Sequence, residues 1–127
     1  MYNLAMERID PPIPSDLILN EKKFPAETVY EVTTQDTGLP FGIAIADIKQ
    51  SAPHFHRQTI ETYTVVQGDL EVSLDKEKQV LHSGDVVRIQ PGVVHSARSI
   101  SEKPARIVVI CVPEFSVEDY FLVEDKQ

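Results

Sequence analysis

Along most of the chain, apolar residues alternate with polar or small ones at the two-residue period of a β-strand. Residues 29–34 are β-branched with polar positions between them. Residues 41–48 place Phe41, Ile43 and Ile45 on one face and Gly42, Ala44 and Ala46 on the other. Residues 60–67 are rich in Thr, Tyr and Val, and residues 70–74 follow the hairpin signal Gly68-Asp69. Residues 86–90 and 106–112 complete the set, while the charged run 75–78 reads as a solvated turn. Residues 117–123 read as either a closing strand or a short helix that Ser116 would cap. Short strands separated by turn signals about every 8–12 residues predict an all-β barrel or sandwich.

In residues 106–112, Ile107, Val109 and Cys111 lie on one face and Val108, Ile110 and Val112 on the other. A strand apolar on both faces predicts cover on both, from an N-terminal arm or from a second subunit. Pro11, Pro12, Pro14 and Pro25 exclude a long helix near the start and make an extended arm the expectation. The expected division is an arm over residues 1–28, a barrel over 29–113 and a closing segment over 114–127. Arm and doubly apolar strand together predict a homodimer, formed by edge pairing or arm exchange.

Composition narrows the partners. A length of 127 residues fits one domain. Twenty acidic residues against 12 basic ones give a formal charge of −8, which disfavours nucleic acid and anionic membrane and leaves a small molecule as the expected partner. Residues 1–10 carry Glu7 and Asp10 and lack the apolar core of a signal peptide, so a cytoplasmic location is expected. A single cysteine, Cys111, excludes an intrachain disulfide and any CxxC site.

The histidines change the picture more. His54 and His56 stand two apart, which on a strand puts both imidazoles on one face. Glu61 follows five residues later, an odd step that requires a bend, and residues 57–60 supply it. His95 comes 34 residues after Glu61, behind the tight turn Pro91-Gly92. Three neutral nitrogens and one carboxylate oxygen suit Mn, Fe, Co, Ni, Cu or Zn. The plain alternative is that these are ordinary surface or core histidines, and a lone His-x-His would favour it.

The fuller pattern is more specific. The run His54-Phe55-His56-Arg57-Gln58-Thr59-Ile60-Glu61, six residues, then Gly68 resembles the first motif of the cupin superfamily, HxHx(3–4)Ex(6)G. Residues 84–95, from Gly84 through Pro91-Gly92 to His95, resemble the second, Gx(5)PxGxxHx(3)N, and 15 residues separate the two. Three positions depart: Ile48 where a Gly often precedes the first motif, Gln90 at the usual Pro, and Ser99 at the usual final Asn. None is a ligand position.

The resemblance implies a double-stranded β-helix (jelly-roll) barrel in one small domain, of the mannose-6-phosphate isomerase-like type. It implies one divalent transition metal (Mn, Fe, Ni or Zn) held by His54, His56, Glu61 and His95. It also implies an enzyme acting on a small organic acid, enediol or sugar-type substrate, with dioxygenase- or decarboxylase-like chemistry favoured. A non-catalytic sugar- or effector-binding barrel and a sugar-phosphate isomerase are the alternatives, the latter needing a basic phosphate clamp for which Arg88 is the one candidate.

Tyr63, two residues beyond Glu61, shares its face and is the candidate catalytic residue, with a core aromatic as the equal alternative. Gln58 and Thr59 are expected to make the turn. Arg57 and Arg98 are expected in surface ion pairs, His82 in an exposed turn, and Cys111 as a small buried side chain.

Overall fold

The computed structural model describes residues 12–123; the signal-peptide reading of residues 1–10 and Pro11 lie outside them. Eleven strands form two antiparallel sheets that face each other as a jelly-roll barrel, and no α-helix is present among the described residues. One sheet contains β1 (Asn20–Phe24), β2 (Glu27–Glu31), β3 (Gly42–Ile48), β5 (Ile60–Gln67), β8 (Val86–Ile89) and β10 (Ala105–Val112), in the order β1-β2-β3-β10-β5-β8. The other contains β4 (His54–Phe55), β6 (Leu70–Leu74), β7 (Glu77–Leu81), β9 (His95–Ser99) and β11 (Phe121–Leu122), in the order β11-β4-β9-β6-β7.

The alternation read from the sequence sets which side chains point inward. On β5, Glu61, Tyr63 and Val65 are buried; on β10, Ile107, Val109 and Cys111 are. These faces meet Leu70 and Val72 of β6, Leu81 of β7 and Ala97 of β9 in one core. On β3 it is the small-residue face that turns inward, ending in the sealed Ile48. Gly68 closes the β5–β6 hairpin at φ 89°, and a Cβ there would press at 3.2 Å on Ala105, so this turn requires glycine.

Several expectations are refined. Residues 20–28, read as arm, contain β1 and the start of β2, a hairpin added to the sheet edge; its polar, largely exposed β1 carries no alternating apolar signal. The charged run 75–78 is a turn only at Asp75-Lys76, after which β7 continues as an exposed strand. The described residues of one chain leave the outer face of β10 open, with Ile110 and Val112 exposed and Val108 half-buried. β10 lies mid-sheet between β3 and β5, so Ile43, Ile45, Thr62 and Thr64 flank that face. Residues 117–123 turn out to be both readings at once, a 3₁₀ turn Val117–Asp119 followed by β11, with the Ser116 hydroxyl accepting from the Glu118 N–H.

Candidate metal centre

Strand pairing brings the four predicted ligands together from three elements. His54 on β4 stands directly across from His95 on β9. Glu61 enters from β5, where its cross-strand partner is Cys111. The odd step from His56 to Glu61 is absorbed by the turn 57–59, whose shape is held from a distance. The Asp119 carboxylate accepts from the backbone N–H groups of Arg57 (2.8 Å), Gln58 (3.1 Å) and Thr59 (3.0 Å). Burial disfavours the charge on Asp119, but those three donors outweigh it and hold the carboxyl below its ordinary range.

Each histidine is oriented by a backbone carbonyl. The Nδ1–H of His54 donates to Ala52 (2.8 Å), that of His56 to Asp119 (2.7 Å) and that of His95 to Val93 (3.0 Å). A carbonyl only accepts, so each Nδ1 carries the proton and each neutral ring is left with a bare Nε2 lone pair. The four ligating atoms lie within 4.8 Å of one another and all four residues are buried. Glu61 Oε1 is 3.2 Å from His56 Nε2 and 2.9 Å from His95 Nε2, and these three buried atoms have no hydrogen-bond partner.

Acceptors facing acceptors in a buried site repel unless a cation lies between them, so the donor set fits a metal ion. The charges point the same way. Burial opposes ionisation of Glu61, yet the neighbouring His56 and His95 hold it well below the usual carboxylate range. Burial, then the charge of His95, lowers His54 to about 4, so it is neutral at physiological pH and free to act as a ligand. Burial also acts to lower His56, but Glu61 outweighs this and raises it. The pole draws positive charge, which a divalent ion supplies.

His54, His56 and Glu61 line a chamber of about 550 Å³. Gly42, Ala44 and Ala46 of β3 form one wall, and their size is why the space is open. A Cβ at Gly42 would run into the Glu114 carboxylate, which itself takes the Thr33 hydroxyl at 2.8 Å. Tyr63 is buried, lines the chamber, and meets the His95 ring edge-on at 6.1 Å. Burial, reinforced by the charge of Glu61, raises its hydroxyl well above the ordinary value, so it stays a proton-bearing donor.

Residues 45–111 match the cupin domain family. The chain belongs to that family. This cupin is 36% identical over 72 residues to an uncharacterized protein of Aquifex aeolicus, a match covering 57% of this chain and 59% of that one. It is 42% identical over 50 residues to quercetin 2,3-dioxygenase of Bacillus subtilis, covering 39% of this chain and 15% of the enzyme. The chain therefore spans only part of the length of these relatives. Among solved structures, KdgF from Halomonas superposes with a TM-score of 0.67 at 22% identity, covering 76% of this chain and 88% of that one. No helix among the described residues is long and apolar enough to cross a membrane.

The other expected residues sort by where their strands face. Arg88 is exposed on the outer face of β8, across from Thr62, because Ile89 takes the inward position, so the cavity has no clamp from it. Arg98 pairs with Glu71 at 3.0 Å, as expected of a surface ion pair. Arg57 pairs with no acid among the described residues: its guanidinium lies 4.2 Å from the Phe121 ring centroid, over the stacked Phe55 and Phe121. His82 is exposed beside Asp69, and Cys111 is buried with its thiol 3.6 Å from Glu61 Oε2.

Several site residues carry no motif. Tyr120 stacks on His54 with ring centroids 4.8 Å apart, and Asp119 acts from more than 60 positions along the chain. Glu27 lines the chamber from β2, and its sequence signal is slight: Glu27, Val29 and Glu31 alternate with Thr28 and Tyr30.

Proposed function

We propose that this cupin binds one divalent transition metal on His54, His56, Glu61 and His95. On this reading it is an enzyme acting on a small organic molecule that reaches the ion through oxygen atoms. The observation that supports this most is the set of three Nδ1-anchored imidazoles whose bare Nε2 atoms converge with Glu61 Oε1 at the floor of an open chamber. Four protein ligands on an ion that takes six leave two positions for exogenous oxygen donors. A bound metal supplies Lewis acidity and, where it is redox-active, an electron path to a substrate held beside it.

The chain's own contributions are separable. The three backbone carbonyls fix ring orientation and tautomer. Asp119 fixes the turn that lets Glu61 rejoin the face of His54 and His56. Tyr63 is the candidate catalytic residue: a neutral hydroxyl on the chamber wall, able to donate to an oxygen of the substrate. Val29, Ala44, Val109 and Phe115 keep the remaining walls apolar and limit water around the substrate.

Elemental analysis of purified protein tests the centre, with about one metal per chain expected. Nitric oxide binding to the Fe(II)-loaded form tests for open positions, and an optical or paramagnetic signal is expected. A chain that takes up no metal on reconstitution overturns the reading, and a metal site closed to nitric oxide overturns its enzymatic part.

A further inference from the structure

The chamber has a second pole. Glu27 opens β2 and turns inward with Val29 and Glu31, reaching the same cavity as Glu61, Tyr63 and Tyr120 from a different strand. Its carboxyl makes no side-chain hydrogen bond or ion pair among the described residues. The other acids of the chamber are engaged. Glu31 pairs with Lys22 at 3.1 Å and takes the Asn20 amide at 2.9 Å; Glu114 takes the Thr33 hydroxyl; Glu61 belongs to the metal set.

Positive charge is scarce in the same space. Among the described residues, Lys22 is the one Lys or Arg lining the chamber, and Glu31 holds it. Arg106 is locked on Asp47 at 2.7 Å. A divalent ion combined with Glu61 carries a net +1, which the charges of Glu27 and Glu114 already exceed. An entering carboxylate or phosphate finds no clamp and several like charges.

We propose that Glu27 is the proton acceptor of this chamber, and that its ligand is a neutral organic hydroxyl compound that gives up its proton on arriving at the histidine pole. The inference rests on the metal reading above and narrows its substrate class. The step balances without a co-reactant: the ligand O–H bond breaks, its electron pair stays on the ligand oxygen, and the proton forms an O–H bond on the Glu27 carboxylate. Nothing is oxidised or reduced.

The surrounding groups suit this division of labour. Burial, then the charge of Glu61, pushes Glu27 up to about 7, a far better match than an ordinary carboxylate for a phenol-like or enol-like hydroxyl. Burial raises Tyr63, Tyr120 and Cys111, so all three keep their own protons and donate rather than accept. His54 faces the same space but is lowered to about 4 and uses its free nitrogen as a ligand.

The test uses the zinc-loaded protein, with catechol as the probe and oxalate as the anionic control. Calorimetry at about pH 8 in two buffers of different ionisation heat counts the protons released on binding. The wild type is expected to bind catechol with almost no net release, because the negative charge left on the bound oxygen raises Glu27 further, above the working pH, and it keeps the proton. Glu27→Gln is expected to release about one proton per catechol and to bind about tenfold more weakly, with zinc content and denaturation midpoint showing that the fold is kept. A role for Glu27 in packing alone would not move the proton count.

Equal proton release by the two proteins overturns the proposal. So does tighter binding of oxalate than of catechol, or zinc-loaded protein that ignores catechol. A wild-type carboxyl resonance of Glu27 that titrates in the ordinary carboxylate range also overturns it. Failure to take up zinc is a different result and overturns the metal reading instead.

Discussion

The two ends of the barrel share the same strands and behave as opposites. At one end Ile48, Val65, Leu70, Val72 and Ile107 pack with essentially no exposure. At the other, β5 and β10 carry Glu61, Tyr63 and Cys111, and β3 offers Gly42 and Ala44. The ladders run unbroken between Gly42 and Ile48 on β3, so topology does not distinguish the ends. Side-chain size on one strand does. The filled end supplies stability, and the hollow end uses it to hold buried acceptors that would be costly without a cation.

Substitutions should separate the ends. Leu70→Ala creates a cavity in the filled end and is expected to cost about 2–5 kcal/mol of unfolding free energy. Metal stoichiometry should be unchanged below the melting transition; urea denaturation and elemental analysis read both. His95→Ala should do the reverse, weakening metal affinity by at least about 100-fold while the metal-free chain stays folded. A chelator competition titration measures the loss, and unchanged affinity would remove His95 from the centre.

Much of this contrast is legible in the chain. Strands at 60–67 and 70–74 match the alternation to the residue, because they bury one face and turn at Gly68. The candidate metal cluster is legible because its four residues keep a characteristic spacing around two turns. β1 and β7 are not, since exposed, charge-rich strands lack an apolar period. Asp119 and Glu27 are not either: one acts through backbone N–H groups about 60 residues away, the other through a cavity formed only when both sheets close. A composition of 20 acids hides which of them faces inward.

Acidity distinguishes the ends more gently. Glu27 is held above its ordinary value of 4.5, at about 7, so the folded chain keeps a proton that the unfolded chain has lost. Metal-free stability should therefore fall as pH rises from about 4.5 to about 7, by about 1–3 kcal/mol in total. Glu27→Gln should flatten that limb in urea titrations across the range; an unchanged slope would remove Glu27 as its source. His54 works in the opposite direction, at about 4 against 6.5, and weakens the fold as pH drops through that window. The smallest expected change in stability is from Ala44→Leu, which fills open space at the hollow end. It should alter unfolding by less than about 1 kcal/mol and yet block catechol from zinc-loaded protein in the same calorimetric assay.

Asp119 joins two operations at one residue. Its carboxylate shapes the turn beside the centre, and its carbonyl orients His56. The segment that carries it also contributes Glu114, Phe115 and Val117 to the chamber rim and lays Tyr120 on His54. Lifting that segment to admit a large ligand would release the imidazole it steadies. On the metal reading proposed above, the centre's grip on an ion and the width of its doorway are set against each other, an arrangement that favours guests small enough to enter without moving the door.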